Sequence, residues 1–167
     1  AGQLPGNELN GVGGGFFGTI GSLSKGSVIG QLNEGELFAA YNKGDVYTSG
    51  KQIELVSSEE NVTPAYTVTS NEVTVYNKGK IQMVNGSATV RFGENYTQLL
   101  GESPVVTASP MGAGNGVYIS EVSKEGFVIR EQNNGSSNVE ISWIAVGNRS
   151  DASTAEVPAM LTNGGFN

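Results

Sequence analysis

In this chain of 167 residues, paired carboxylates are the remaining route to hydrolysis, because the sequence contains neither histidine nor cysteine. That absence excludes thiol nucleophiles, histidine general bases, Ser-His-Asp triads and zinc sites of the Cys/His kind. Two carboxylates alone can hydrolyse a glycosidic bond, but strand alternation points Glu54, Glu72 and Glu140 outward and no pair stands out. We therefore predict that the protein is not an enzyme and has no catalytic residues and no cofactor. Only a surface calcium ion held by loop carboxylates and carbonyls stays open.

Two glycine-rich stretches match phosphate-binding loops only in part. Residues 13–18 fit G-x-G-x-x-G, but that fingerprint needs a strand before it and a helix after it, and the sequence predicts neither. Residues 112–116 lack the Lys-Ser/Thr pair of a phosphate loop, so we expect a turn that leads into a strand. The sequence therefore predicts no nucleotide site.

The charge of the chain argues against nucleic acid as a partner. Nine basic residues stand against 16 acidic ones, for a net charge of −7, whereas duplex binding depends on clustered Lys and Arg. No apolar run approaches the roughly 18 residues of a membrane span. The chain begins with Ala1, so we expect either a removed leader or a piece of a longer chain. The absence of cysteine fits an exported protein without fixing its compartment.

From residue 45 to 148 the pattern is typical of β-structure, since short runs of Val, Ile, Thr, Tyr and Phe alternate with Gly, Asn, Ser and Pro. The predicted strands are 51–56, 66–69, 72–76, 80–84, 87–92, 105–109, 116–122, 127–131 and 138–147, and 93–100 is a short helical turn. Regular short strands with frequent turns favour a sandwich or barrel. We predict an all-β, antiparallel, jelly-roll-like β-sandwich.

Residues 84–87 (VNGS) predict a hairpin, because Asn-Gly supplies the two positive-φ residues of a type I′ turn. A two-residue loop predicts that residues 84, 83, 82 and 81 face 87, 88, 89 and 90. The apolar residues Ile81, Met83, Ala88 and Val90 then share one face, as a core-facing hairpin requires.

The last predicted strand is apolar on both sides. Val139, Ile141, Trp143 and Ala145 alternate along the face that we assign to the core, while Ile144 and Val146 make the second face apolar as well. A strand that is apolar on both faces is expected to be buried on both. A second layer of the same chain or another subunit could cover it.

Residues 1–44 form a glycine-dense arm, followed by a β-sandwich domain at 45–149 and a C-terminal extension at 150–167. Glycine at this density disfavours a helix, while the apolar residues are too many for a plain flexible linker. The arm is either mobile or ordered only against a neighbouring subunit. In the second case the inserting residues are Phe16, Phe17, Ile20, Val28 and Ile29.

An exposed patch of one aromatic and two amide side chains could bind a ligand. Tyr118, Asn133 and Asn134 are the candidates, since sugar sites combine aromatic platforms with amides. Packing in a core or an interface is the commoner fate of such residues, and Trp143 lies on the face assigned to the core. The patch is therefore a ligand site or an interface.

Residues 116–149 read GVYISEVSKEGFVIREQNNGSSNVEISWIAVGNR. They resemble a β-rich module of bacterial extracellular surface proteins and phage-like tail fibres. Its members run as NG-(L/V)-Y-V-S, G-F-x-V-x-E, an Asn/Gly-rich loop, and S-N-V-x-(F/V)-x-(W/Y)-x-V-x-(G/A)-x-R; here these are 115–120, 126–131, 133–136 and 137–149. The resemblance covers residues 79–149 and is most specific in the final strand. It implies an all-β, frequently oligomeric module without known catalytic residues.

Two functions follow as hypotheses. The first is a structural subunit of an extracellular filament, sheath or virion fibre, which assembles with copies of itself by arm or strand exchange. The second is a receptor- or carbohydrate-binding module of a tail fibre or surface adhesin, with a cell-surface glycan as its partner. Both place the protein outside the cell, on a cell surface or a virion.

Overall fold

A computed structural model describes residues 17, 20–58 and 60–162 of the chain. The chain divides into two compact units, Ala1–Tyr66 and Thr67–Asn167. The first unit contains strands β1 (Ile53–Ser57) and β2 (Val62–Tyr66). The second contains β3 (Thr74–Gln82), β4 (Ser87–Arg91), α1 (Glu94–Leu99), β5 (Val105–Pro110), β6 (Val117–Val122), β7 (Gly126–Glu131), β8 (Glu140–Asn148) and α2 (Ala159–Thr162). The predicted division at residues 44 and 149 stays a prediction.

The second unit is built from two three-stranded sheets, in the orders β3-β8-β5 and β4-β7-β6. All strand pairs in both sheets are antiparallel. Alternate residues of each strand enter one core, which is formed by Met83, Ala88, Val90, Phe92, Tyr96, Leu100, Phe127, Ile129, Ile141 and Ala145. The predicted all-β, antiparallel, sandwich-like fold is confirmed, and so is the short helical turn, which is α1.

An aromatic cluster fills the middle of this core. Phe92 packs edge-on against Tyr96, and Phe127 packs edge-on against Trp143, with ring centroids 4.9 and 5.5 Å apart. The Tyr96 hydroxyl donates a hydrogen bond of 3.1 Å to the Ala145 carbonyl, and burial raises the pKa of that hydroxyl. The polar end of a buried tyrosine thus has the partner it requires.

The sequence predicted two strands, 72–76 and 80–84, where the structure has the single strand β3. The residues between them, Asn77, Lys78 and Gly79, were interpreted as a break, and that interpretation was wrong. Gly79 pairs with Trp143, and a Cβ at Gly79 would lie 2.7 Å from Cζ2 of that indole. The glycine is therefore explained by a large side chain lying across it on the inner face, and does not mark a turn.

The predicted hairpin is half correct. Asn85 and Gly86 have φ of 50° and 74°, and Val84 and Ser87 exchange backbone hydrogen bonds of 2.9 and 3.1 Å, so the turn forms as predicted. The pairing does not continue, because β3 pairs with β8 and β4 pairs with β7. The turn therefore connects the two sheets. The apolar residues on either side of it, Ile81, Met83, Ala88 and Val90, pack in or against the core between the sheets.

One further strand was predicted at the wrong residues. The strand predicted at 66–69 lies earlier, as β2, and contains Pro64; a two-stranded ribbon consists only of edge strands, in which proline is tolerated. The second face of β8 was expected to be covered by a second layer of the same chain or by another subunit. Among the described residues no second layer lies on it, and Ile144 is 46% exposed, while cover by another subunit stays a prediction. The inner face of β8 packs in the core as predicted.

Candidate functional site

The arm is the first candidate region. Phe17 and residues 20–50 are all exposed, and none of these described residues lies in a helix or strand. Several are large and apolar: Phe17, Ile20, Leu23, Val28, Ile29, Leu32, Leu37, Phe38 and Tyr41. Monomeric soluble proteins rarely leave many apolar side chains uncovered in one region, so the arm is a candidate binding segment.

The structure places the predicted arm residues as follows. Phe16 lies outside the described residues. Phe17 and Val28 are 97% and 90% exposed, and Ile20 and Ile29 are exposed as well. None of these four belongs to the hydrophobic core. The arm residues are thus available to a partner, and the structure does not gather them into a cluster.

The ribbon of β1 and β2 adds a second uncovered apolar surface within the first unit. Ile53 pairs with Tyr66, and Leu55 pairs with Pro64, so these four side chains lie on one face of the ribbon. Ile53, Leu55 and Tyr66 are all exposed. A two-stranded ribbon is only marginally stable by itself in water, so this one would gain stability from a partner that covers its apolar face.

In the second unit, the outer face of the β3-β8-β5 sheet is the third candidate. Tyr76 pairs with Val146, which pairs in turn with Val105, so that an apolar row crosses all three strands. Ile144 lies one row away, between Lys78 and Thr107. A trough of about 480 Å³ crosses this face and is lined by Lys78, Gly79, Lys80, Thr107, Ser109, Ser142, Trp143 and Ile144. We call the surface formed by Tyr76, Lys78, Lys80, Val105, Ile144 and Val146 the outer face.

At one end of the sandwich, three loops meet around the carboxylate of Glu131, which is only 5% exposed. Its two oxygens accept hydrogen bonds from the backbone N–H groups of Asn115 (2.9 Å) and Ser137 (2.8 Å). Its own backbone N–H donates to the Gly86 carbonyl at 2.8 Å. Glu131 therefore joins the loops at 84–87, 112–116 and 132–138, which together we call the loop cluster.

The surroundings of this carboxylate favour its charged form. The hydrogen bonds from Asn115 and then Ser137 lower the pKa of Glu131, against the opposing effect of burial. The Ser137 hydroxyl contributes to lowering this pKa, although its Oγ is buried without a hydrogen bond of good geometry. Gly135 packs directly on the carboxyl, where a Cβ would lie 2.2 Å from Cδ of Glu131. The loop needs glycine at that position.

The predicted patch of Tyr118, Asn133 and Asn134 is exposed. Tyr118 pairs with Arg130 and projects from the outer side of the β4-β7-β6 sheet. Asn133 and Asn134 follow β7 in a turn of 3-10 helix, and both have φ near 50° (55° and 51°), a conformation that Asn tolerates better than most residues. No hydrogen bond between Tyr118 and either Asn appears among the described residues, so the structure does not join these three residues into one site.

Sequence reasoning missed the role of Glu131, which it treated only as one residue of a strand. The signal that could have found it is the glycine and asparagine content of all three loops. Close backbone packing around one side chain requires such residues. In the part of the chain that the structure describes, no three Asp, Glu, His or Cys residues form a group that could hold a metal.

No protein-family model matches the sequence, and a search of curated proteins finds no match either. Among the described residues, none of the helices has the length and apolar character needed to cross a membrane. The resemblance to surface and tail-fibre modules stays a prediction. Asn115, Glu131 and Ser137, which belong to segments on which it rests, meet at the loop cluster.

Proposed function

We propose that this protein is a structural subunit of an extracellular filament, sheath or virion fibre, and that it assembles with copies of itself by exchange of the N-terminal arm. The observation that carries the proposal is the uncovered arm, in which large apolar side chains have no place in the core of their own chain. Burying a Val, Leu, Ile or Phe side chain contributes about 1.5–3 kcal/mol. We choose another copy of the chain as the partner because its concentration always equals that of the protein itself.

Open sheet edges make such an exchange feasible. Each sheet of the sandwich ends in two edge strands, β3 and β5 in one and β4 and β6 in the other. An extended segment can add to an edge through main-chain hydrogen bonds while its side chains enter apolar pockets. A glycine-rich arm suits this role because it approaches a neighbouring backbone closely.

The test is deletion of the whole arm, residues 1–44. We expect the truncated chain to keep its β-sheet circular dichroism and its cooperative unfolding, but to remain monomeric in light scattering and negative-stain microscopy while the full chain forms regular polymers. A matched variant keeps the length of the arm and replaces Phe17, Ile20, Val28 and Ile29 with Ser, which separates apolar contact from chain length. A truncated chain that still polymerises would contradict the proposal, and so would an arm that exchanges its amide hydrogens freely in the assembled full chain.

A second function, recognition of a cell-surface glycan as part of an adhesin or tail fibre, is favoured by the loop cluster. Glu131 holds three loops together by backbone hydrogen bonds, and Asn133 and Asn134 present exposed amides from one of them. Amide side chains held in fixed positions suit the hydroxyl groups of sugars. A glycan array probed with the wild type and with the Asn133→Ala/Asn134→Ala variant tests this function, which a blank array would exclude. Discrete trimers would favour this second function, and long polymers the first.

A further inference from the structure

We infer that the outer face of the β3-β8-β5 sheet is the surface on which the arm of a second copy binds, through residues 31–41. This inference rests on the proposed self-assembly and adds the identity of the two contacting surfaces. It commits to one occupant, the segment QLNEGELFAAY of another copy of this chain.

The outer face is apolar, as a buried surface is, although it is exposed in the described chain. Val105 is 80% exposed, and its row partners Val146 and Tyr76 are exposed as well. Ile144 continues the apolar surface into the next row. An antiparallel sheet with one solvated face normally carries polar residues there, so these four apolar side chains indicate a face that is buried in the working state of the protein.

The charges of the two surfaces are complementary. The outer face presents Lys78 and Lys80 in a chain whose net charge is −7. Lys80 pairs with Glu140 at 2.9 Å, whereas Lys78 has no salt bridge among the described residues. Residues 31–41 contain Glu34 and Glu36 and no basic residue. An acidic segment is therefore attracted to this face, and a basic one would be repelled.

The order of residues also fits. Along the outer face, the row of Lys80 is followed by the row of Lys78 and then by the apolar row of Tyr76. Along the segment, Glu34 and Glu36 come first and the apolar run 37–41 follows. Rows on one face of a strand are about 7 Å apart, and an extended segment advances by the same distance every two residues. An orientation that places the glutamates beside the lysines thus places the apolar run over Tyr76, Val105 and Val146.

The segment is available for this contact. Leu32, Leu37, Phe38 and Tyr41 are all strongly exposed in the described chain. Neither Glu34 nor Glu36 forms a salt bridge with any described residue. Within the described residues, both the apolar and the acidic side chains of the segment are therefore without a salt bridge or a place in the core.

A photo-crosslinking amino acid at position 38 tests the inference in the full chain. Mixing isotopically labelled and unlabelled chains before irradiation distinguishes crosslinks between copies from crosslinks within one copy. We expect crosslinks between copies, on peptides that contain residues 76–80, 105–109 or 142–146. Crosslinks within one copy would overturn the inference, as would crosslinks between copies to β4, β6 or the loop cluster. In the last case the proposed self-assembly would stand and only its acceptor surface would be wrong, whereas a chain that stays monomeric would refute the proposed function itself.

A charge exchange provides the second measurement. We reverse the charge of one contacting surface, either with Lys78→Glu or with Glu34→Lys/Glu36→Lys. Each reversal is expected to weaken association by roughly tenfold in sedimentation velocity at low salt. Combining both reversals should restore most of the loss. Lys124→Glu changes the net charge as Lys78→Glu does but lies in the turn between β6 and β7, so it should leave association unchanged. Equal losses for Lys78→Glu and Lys124→Glu, without rescue in the combined variant, would contradict a specific contact.

Discussion

Residues 20–50 and the sandwich of the second unit contain the same kinds of residue, yet only the sandwich buries its apolar side chains. In β4, Ala88 and Val90 enter the core while Thr89 between them is exposed. In the arm, apolar residues come in adjacent pairs such as Val28-Ile29 and Leu37-Phe38, and an extended chain sends the two members of a pair to opposite sides. The arm therefore lacks the alternation by which β4 buries one of its two faces.

Strand β8 connects the two cases. Its inner face alternates as a core strand does, with Ile141 and Ala145 fully buried, while Ile144 on the opposite face remains exposed. Like the arm, the outer face has apolar side chains that the described chain does not cover. The sandwich thus buries the apolar side chains of its inner faces and leaves those of the outer face exposed. We propose that the arm of another copy binds there.

We expect the largest effect when the same substitution, Ile to Ala, is made once in the sandwich and once in the arm. Ile141→Ala removes a fully buried side chain and should lower the free energy of unfolding by about 2–5 kcal/mol, since it loses apolar burial and leaves a cavity. Ile29→Ala in the exposed arm should change it by less than about 0.5 kcal/mol. Urea denaturation of the monomeric chain, followed by tryptophan fluorescence of Trp143, measures both.

The assembly of the same two variants makes the comparison sharper. Ile29→Ala should weaken polymer formation while leaving the fold intact, and Ile141→Ala should weaken it only as far as it unfolds the chain. If Ile29→Ala destabilised the monomer as much as Ile141→Ala does, the arm would be packed in its own molecule and the contrast between the two regions would be lost.

The second largest effect should be a loss of stability at the loop cluster in acid. The pKa of Glu131 is lowered in the folded state by the backbone hydrogen bonds from Asn115 and Ser137. The stability that the carboxylate contributes is therefore fully present above its unfolded pKa, near 4.5, and is lost as the pH falls through the lower folded value. Glu131→Gln should be less stable than wild type at pH 7, and the difference should shrink on acidification below about pH 4.5.

Urea midpoints measured from pH 7 to pH 3 provide this comparison. Glu125→Gln is the matched control, because Glu125 is an exposed carboxylate in the turn between β6 and β7 and should show no such convergence with wild type. A constant difference between Glu131→Gln and wild type across the whole range would contradict the assigned role of the charge.

The fold could be predicted largely because its strands follow local rules. The turn at Asn85-Gly86 formed because a positive φ at both residues is a property of those two residues alone. The partners of the strands on either side could not be predicted from it, because β3 and β4 find their partners β8 and β7 about 60 and 40 residues further along the chain. Gly79 was taken for a break because the ring of Trp143, which explains it, is distant in sequence.

The candidate sites divide in the same way. The sequence predicted the arm from its glycine density and its many apolar residues. Phe17, Ile20, Val28 and Ile29 are exposed there, while their insertion into another copy stays a prediction. The glycine and asparagine content of the three loops could indicate close packing, but not Glu131 as their common partner. Glu131, Asn115 and Ser137 become neighbours only through pairing of β7 with β6 and through the return of the chain into β8. Local sequence rules thus predict whether a segment can form a core by itself. Pairing between distant strands decides which residues it contacts.

The smallest effect concerns the salt bridge between Lys80 and Glu140 on the outer face. Both side chains are about half exposed (59% and 46%), so Lys80→Gln should lower the free energy of unfolding of the monomeric chain by less than about 1 kcal/mol, and by less still in high salt. Lys78→Gln, which breaks no salt bridge among the described residues, is the control in the same urea experiment. A large loss that salt does not reduce would mean that the pair is shielded from water in the isolated chain. The outer face would then already be covered by its own molecule, and it could not receive the arm of another copy.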